Sequence, residues 1–310
     1  MIAAAPARRA LVLGATSQIG FFLLPRLVEA KLEVIALTRA TVPQDTTTQA
    51  GLIWRNYSPG QLAVSIGSSI PVTIVYFLAA LPLLPALIPD LIDLGVQRLI
   101  AFGTSSRFYK TESADTREQS YMQQVIAAEK EIAGLCERHA IAWTVFRPTL
   151  VYGCGRDRNV TFIAKFVRRF GFFPLFSAGR GLRQPVHADD LAQACIQALD
   201  NRSTYGKAYT LSGGSTLTYR EMVEAVFQQL GKPVRTFDVP LALFRAAIGI
   251  ARSLPRLQGL STEMATRMGI DMCFDHQEAA TDFDFRPRPF RLDALAVGSA
   301  RDEQSSMTPA

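Results

Sequence analysis

The sequence is short of cysteine, and its four cysteines lie far apart. Cys136, Cys154, Cys195 and Cys273 form no C-x-x-C pair. This spacing excludes a disulfide framework and the common zinc sites, and it is typical of a protein in a reducing compartment.

The sequence also lacks charge over a long stretch, because no charged residue lies between Arg55 and Asp90. An apolar run of this length raises the question of a membrane span. The stretch contains prolines at positions 59, 71, 82, 85 and 89. Each proline removes a backbone donor and clashes with the preceding helical turn. We therefore predict a buried strand at residues 72–78 and no transmembrane segment.

No targeting signal or nucleic-acid signature is found. Arg8 and Arg9 are followed by only four apolar residues before a glycine turn, which is too short for a secretory signal. The net charge is +6, but the basic residues are not confined to one run. We predict a cytoplasmic protein that binds no nucleic acid.

Short apolar runs alternate with helical patterns in the first half of the chain. The runs at 10–13, 33–37, 72–78, 98–102 and 142–146 predict strands, and the patterns at 21–30 and 121–138 predict helices. We expect the last strand to end at Arg147, which precedes a proline. Alternation of this kind predicts an α/β fold with a doubly wound parallel sheet of the Rossmann type.

The alternation breaks down after Tyr152, which predicts a boundary. We expect a dinucleotide-binding domain at residues 1–152, a smaller substrate-side region at 153–295 and a disordered tail at 296–310. Within the second region we predict helices at 161–170 and 191–199, the latter capped by Asp190, and a strand at 208–211. Residues 186–212 are expected to pack back on the first domain. Thr218 and Glu221 predict a capping box that opens a helix ending at Gly231.

A strand, a glycine turn and a helix start follow one another at residues 11–20. Gly14 permits a tight turn, Gly20 permits close packing of the helix on the strand, and the helix N-terminus offers free N–H groups to a pyrophosphate. The predicted cofactor-binding residues are Gly14, Thr16, Ser17, Gln18, Ile19, Gly20, Arg39 and Ala79. Arg39 ends the second strand where a carboxylate would bind a ribose hydroxyl, so the sequence favours NADP(H), with NAD(H) as the alternative.

The turn G-A-T-S-Q-I-G resembles the G-A-T-G-F-I-G turn of extended and atypical short-chain dehydrogenases/reductases, the NAD-dependent epimerase/dehydratase family. Ser17 replaces the middle glycine of that turn. The segment 147–153 (R-P-T-L-V-Y-G) and the segment 282–287 near the end resemble further motifs of this family. The resemblance spans roughly residues 8–295, with its motifs in the family's order.

The resemblance implies catalytic positions and exposes one departure. Ser105 matches the catalytic hydroxyl, with Thr104 and Ser106 as close rivals, and Tyr121 matches the catalytic tyrosine. The family's lysine, four residues after that tyrosine, is replaced by Val125. Lys130, nine positions from Tyr121, lies on another side of a helix and cannot substitute for it.

Basic residues gather in the predicted substrate-side region. Arg183 matches a family arginine that contacts a nucleotide diphosphate. Because guanidinium groups suit phosphate, Arg156, Arg158, Arg180 and Arg183 are candidates for an anion pocket, although Arg156 and Arg158 are equally consistent with solvated loop charges. His187 lies beside Asp189 and Asp190 but lacks a third ligand, so we interpret it as structural and predict no metal site.

Three functions follow from these patterns. The leading prediction is an NAD(P)-dependent oxidoreductase or epimerase that acts on a nucleotide-linked or other anionic small molecule through Ser105 and Tyr121. The alternative is a non-catalytic NADP(H)-binding sensor or assembly factor, for which Val125 is the main argument. The mixture of arginine and apolar residues at 241–260 also suits a membrane surface. Pro255 favours a substrate-region helix there over peripheral membrane contact.

Overall fold

The computed structural model describes residues 8–39, 42, 50–58, 60, 62–66, 71–113, 115–240 and 267–298. The segment 241–260 and most of the predicted tail lie outside the described residues. Strands of the first half are β1 (Arg9–Leu13), β2 (Glu33–Thr38), β3 (Leu52–Asn56), β4 (Ile74–Phe77), β5 (Arg98–Phe102) and β6 (Ala142–Pro148). Helices of this half are α1 (Gln18–Glu29), α2 (Leu62–Ile66), α3 (Ile88–Asp93) and α4 (Thr116–Arg138).

The second half contributes shorter strands and further helices. The strands are β7 (Val151–Tyr152), β8 (Phe173–Phe176), β9 (Leu182–Arg183), β10 (Val186–His187), β11 (Lys207–Leu211), β12 (Leu217–Thr218) and β13 (Thr236–Val239). The helices are α5 (Val160–Phe170), α6 (Ala188–Leu199), α7 (Tyr219–Gln229) and α8 (Gln277–Phe283).

A parallel sheet forms the centre of the molecule and confirms the predicted Rossmann-type α/β fold. Within the described residues its seven strands run in the order β11-β6-β5-β4-β1-β2-β3. The chain winds outward from β1 in one direction and from β4 in the other. In such sheets ligands bind where the strand order reverses, outside the carboxyl ends of the strands.

Alternate residues of β1 enter the cores on the two faces of this sheet. Ala10 and Val12 pack with α1 and α6, whereas Leu11 and Leu13 pack with α3 and α4. A third core joins α5, β8 and α7 in the second half of the chain. The period of two that separates the first two cores is the pattern expected of a strand buried on both faces.

Several predicted boundaries are wrong, each for a local reason. Helix α1 begins at Gln18, because Ser17 caps it, and α4 begins at Thr116, because Asp115 caps it. Strand β6 continues through Pro148, since the residue before a proline favours extended backbone and need not end a strand. Strand β3 was not predicted from the sequence, because only its first residue is buried.

The predicted cap of α6 is also wrong. The helix begins at Ala188, and His187 is its cap, with Nδ1 accepting from the Asp189 amide at 3.1 Å. Asp190 instead accepts from the backbone N–H of Arg288 at 2.9 Å and from its Nε at 2.6 Å. The capping box of Thr218 and Glu221 is confirmed.

Candidate functional site

The glycine turn joins β1 to α1 at the point where the strand order reverses. Gly14 has φ +79°, and a Cβ added there would lie 2.9 Å from the amide nitrogen of Ala79. A Cβ on Gly20 would lie 2.2 Å from the carbonyl oxygen of Ala15. Both positions therefore require glycine, for a left-handed backbone at one and a close backbone approach at the other.

Ser17, which replaces the family's middle glycine, has a structural partner. Its Oγ accepts from the amide of Gly20 at 3.1 Å and caps α1. The hydroxyl is thus turned toward its own helix. The amides of Gln18 and Ile19 belong to the first turn, which leaves its N–H groups without partners inside the helix. The end of α1 is therefore suited to an anion.

A cavity of about 670 Å³ opens beside this turn, and we name it the glycine-turn cavity. Its lining includes Gly14, Thr16, Ser17, Arg39 and Ala79, all predicted from the sequence. Among the other predicted residues, Gln18 lines a neighbouring cavity, while the Ile19 side chain is buried in the core and Gly20 underlies the turn.

The structure brings a carboxylate to the Arg39 side of this cavity that the sequence did not indicate. Asp90, from α3, lines the glycine-turn cavity together with Arg39 and Tyr57. Burial raises the pKa of the Tyr57 phenol; the charge of Asp90 adds to this shift, and that of Arg39 opposes it. The part of the cavity near Tyr57 thus carries both a positive and a negative charge.

A second cavity of about 480 Å³, the phenol cavity, contains Tyr121. The Tyr121 side chain is 43% exposed. Val125, one helical turn further along α4, also lines this cavity and is 2% exposed. Lys130 is exposed and lies outside the cavity lining. The phenol cavity therefore has an apolar wall at position 125, where the resemblance implies a lysine in the family.

A third cavity of about 500 Å³, the arginine cavity, is lined by Ser105, Ser106, Tyr109, Arg183 and other residues. Ser105 is buried at the start of a short 3-10 turn, and Thr104 caps that turn by accepting from the Ser106 amide at 3.1 Å. Ser106 Oγ and the Tyr109 hydroxyl lie 3.0 Å apart. The sequence did not single out Tyr109, because nothing local shows that a loop phenol reaches a serine.

A charged network lies where the phenol cavity and the arginine cavity adjoin, since Lys110 and Glu118 line both. Lys110 Nζ lies 3.1 Å from Glu118 Oε1, and Arg267 lies 2.7 Å from Glu118 Oε2. Burial alone would raise the pKa of Glu118, but hydrogen bonds from Lys110 and Arg267 outweigh it and hold that pKa below its ordinary value. Lys110 and Arg267 therefore hold the Glu118 carboxylate in place.

Arg183 is tied to the backbone of a distant segment. Its NH1 donates to the carbonyls of Leu182 at 2.8 Å and Ile270 at 2.7 Å, and its NH2 donates to that of Arg267 at 2.5 Å. Burial lowers its pKa. Part of the guanidinium is thus committed to holding residues 267–270 against β9.

The predicted grouping of four arginines in one pocket is not what the structure shows. Arg183 and Arg158 line the arginine cavity, but Arg156 and the exposed Arg180 are absent from its lining. Arg156 donates to the carbonyl of Thr16 at 3.1 Å and lies over the Phe21 ring, which places it beside the glycine turn. Arg267 takes a place in the cavity that the sequence did not suggest.

His187 has the structural surroundings that its sequence context suggested. Burial and the nearby charge of Arg288 lower its pKa.

Across the described ranges no group of three or more His, Cys, Asp or Glu side chains could hold a metal ion. No helix in the same part of the chain is both long and apolar enough to cross a bilayer.

The comparisons with known proteins agree with the fold. Residues 76–211 match the model of the NAD dependent epimerase/dehydratase family, a range that begins after the glycine turn. UDP-glucose 4-epimerase of Vibrio cholerae is 26% identical over 181 residues, which are 54% of this chain and 55% of that protein.

A second relative is a subunit of a respiratory enzyme. The mitochondrial NADH dehydrogenase [ubiquinone] 1 alpha subcomplex subunit 9 of Arabidopsis thaliana is 33% identical over 104 residues, 33% of this chain and 26% of that protein. Both matches cover about half or less of the relative's own length. The activities of these whole proteins therefore do not transfer to this chain by similarity alone.

A solved structure matches nearly the whole chain. UDP-glucuronic acid 4-epimerase of Bacillus cereus, in complex with UDP-glucuronic acid and NAD, superposes with a TM-score of 0.69 at 15% identity, covering 91% of this chain and 95% of that one. At this identity the likeness shows the fold alone.

Proposed function

We propose that this protein binds a nicotinamide dinucleotide and transfers hydride to or from an anionic, nucleotide-linked substrate, because residues 76–211 match the model of the NAD dependent epimerase/dehydratase family. The observation that carries this proposal is that the three cavities adjoin one another. Ala79 and Ala80 line both the glycine-turn cavity and the phenol cavity, and Thr104 and Ser106 line both the phenol cavity and the arginine cavity. A cofactor at one end and a substrate at the other would meet between them.

The residues of the glycine turn fit a dinucleotide. Gly14 and Gly20 let the turn pack closely against the neighbouring backbone, and the start of α1 would offer its first-turn N–H groups to a pyrophosphate. When bound, the nicotinamide supplies a hydride donor or acceptor. Arg39, at the other end of the cavity, would pair with a ribose phosphate, so NADP(H) is the proposed cofactor and NAD(H) the alternative.

The proposed acid–base groups are Ser105 and Tyr121, which would hold the reacting oxygen. The arginine cavity would hold the rest of the substrate. Its cations include Arg158, Arg183 and Arg267. A diphosphate suits such a lining because guanidinium groups bind it through paired, charge-assisted hydrogen bonds. We propose that the protein works in the cytoplasm.

The direct test loads the protein with NADP⁺ or NAD⁺ and adds UDP-glucose or UDP-glucuronic acid. We expect the absorbance of the reduced nicotinamide to appear. Mass spectrometry of small molecules that purify with the protein provides an independent check. A protein that binds neither dinucleotide would contradict the proposal.

A second candidate function is a non-catalytic dinucleotide-binding protein. The observation in its favour is Val125, whose buried side chain leaves the phenol cavity without the family's lysine. The similarity to a respiratory-complex subunit is consistent with this alternative.

Cofactor preference gives the first prediction. Arg39→Ala should weaken NADPH binding by about 1.5–3 kcal/mol, the range for a hydrogen bond to a charged group, while NADH binding changes little. Asp90→Asn should act in the opposite direction, because removing its charge favours a ribose phosphate. Fluorescence titration of both cofactors measures the ratio. An unchanged ratio in Arg39→Ala would show that Arg39 does not select the cofactor.

Position 125 gives the second prediction. Val125→Lys should raise the reduction of phenanthrenequinone by NADPH about 10²-fold or more, because an ammonium one turn from Tyr121 favours proton transfer by the phenol. The double change with Tyr121→Phe is the control and should remove the gain. If neither the natural protein nor Val125→Lys turns over while both bind NADPH, the binding-protein function is the better one.

A further inference from the structure

Three phenylalanine side chains form an exposed surface away from the three cavities, and we name them the aromatic patch. Phe170, Phe172 and Phe237 are 52%, 36% and 57% exposed. Ring centroids lie 6.3 Å apart for Phe170 and Phe172, and 5.6 Å apart for Phe172 and Phe237. The patch thus joins the end of α5 to β13 in one continuous apolar surface.

The aromatic patch packs on Phe166 and on the pair of strands β8 and β13. Phe166 contacts Phe170 at 4.6 Å and Phe172 at 5.7 Å between ring centroids, and β13 pairs with β8 through residues 236–239. Phe170 therefore lies on a helix and Phe237 on a strand, and Phe172 lies in the two-residue connection between α5 and β8. Adjacent apolar rings exposed in this way mark a binding surface more often than scattered single residues do.

The segments that carry the aromatic patch hold mostly positive charges. Residues 160–176 contain Lys165, Arg168 and Arg169 and no acidic residue. Lys165, Arg169 and Arg235 are exposed. Asp238 is the acidic residue of β13, and it lies 2.6 Å from Arg220 in an ion pair. The rim therefore carries a net positive charge.

The positive charge of the rim distinguishes between the possible binding partners of the aromatic patch. A symmetric contact with a second copy would set one basic rim against another, which disfavours association. The sequence that follows Pro240 brings arginines at 245, 252 and 256 and no acidic residue through position 260, so it supplies no countercharge. An anionic partner with an apolar layer complements both the positive rim and the apolar rings. That combination is the chemistry of an anionic lipid surface.

We propose that the aromatic patch and its basic rim bind an anionic lipid surface, with Phe170, Phe172 and Phe237 entering the interface between headgroups and acyl chains. The substrate cavities would then work beside a membrane. This contact is peripheral and does not depend on the proposed catalytic function.

Sedimentation with vesicles tests the proposal on the full chain. We expect binding to vesicles of phosphatidylcholine mixed with phosphatidylglycerol, and much weaker binding to phosphatidylcholine alone. Phe170→Ser and Phe237→Ser should each weaken binding about tenfold, the effect of withdrawing one large apolar side chain. Ile53→Ser is the control, because Ile53 is 47% exposed on the edge strand β3.

Charge variants give an independent measurement if a phenylalanine variant folds poorly. Arg169→Glu and Arg235→Glu should each weaken vesicle binding about fivefold or more. Arg286→Glu changes the net charge equally at an 82% exposed side chain outside the rim and should have little effect.

Three results would overturn the proposal. The first is absence of binding to the anionic vesicles, and the second is an equal loss in the control variants. The third is an oligomer in gel filtration that Phe237→Ser dissociates without changing vesicle binding, which would show that a second copy covers the patch.

Discussion

Arg98→Met is expected to lower the free energy of unfolding by about 3–5 kcal/mol, because several buried acceptors would lose their donor at about 1–3 kcal/mol each. Arg98 opens β5 and is 4% exposed. Its Nε donates to the carbonyl of Leu199 at 3.0 Å, and its NH2 donates to that of Ala198 at 2.8 Å. One side chain thus binds the last carbonyls of α6, where a positive charge is also favoured by the helix dipole.

The same guanidinium also binds strand β6 and the short turn that follows α6. It donates to the carbonyl of Ala142 at 3.1 Å and to the hydroxyls of Thr144 at 2.8 Å and Thr204 at 3.0 Å. Burial lowers the pKa of Arg98 to about 10, which leaves it charged at neutral pH. Methionine keeps the length and apolar character of the side chain but donates no hydrogen bond.

Arg8→Met is the control for this measurement. Arg8 pairs with Asp200 at 2.8 Å near the same end of α6, but both side chains are largely exposed. Exposed ion pairs contribute about 0–1 kcal/mol, so the unfolding free energy should change little. Urea denaturation of the two variants measures the difference. Equal losses would mean that the buried network does not hold α6 to the sheet.

Gly20→Ala is expected to remove most of the dinucleotide binding and to destabilise the protein by about 1–3 kcal/mol, the usual cost of forcing extra atoms into a packed site. The added Cβ would meet the carbonyl oxygen of Ala15 at 2.2 Å and its carbonyl carbon at 2.8 Å. Both are backbone atoms, so the turn itself must open. Displaced amides would lose charge-assisted hydrogen bonds, and NADPH affinity should fall about ten- to hundredfold.

Gly134→Ala provides the matched control. Gly134 lies inside α4, and its added Cβ would meet only the Arg138 NH1 at 3.5 Å, the end of a flexible side chain. Alanine in a helix interior should raise the unfolding free energy by about 0.5–1 kcal/mol. Titration with NADPH and denaturation of both variants separate the two effects. Normal NADPH affinity in Gly20→Ala would remove the glycine turn from the cofactor site.

Local features of the chain were readable from the sequence. The strand, turn and helix at residues 9–29 depend on neighbours within a few positions, so Gly14, Ser17 and Gly20 marked the turn correctly. The capping box of Thr218 and Glu221 is local in the same sense. The parallel sheet followed from alternating strands and helices, since parallel strands require crossover connections.

Other features were decided only by tertiary structure, because they join residues that are distant in the chain. Strand β3 has one buried residue, and its position comes from hydrogen bonding to β2. Asp90 lines the same cavity as Arg39, although β3, α2 and β4 separate α3 from β2 in the chain. Arg183 is held by carbonyls 84 and 87 positions away, which is why its role could not be read from its own motif. Sequence patterns record which local conformation each segment prefers, whereas the partners of a charged side chain are set by which elements the folded core brings together.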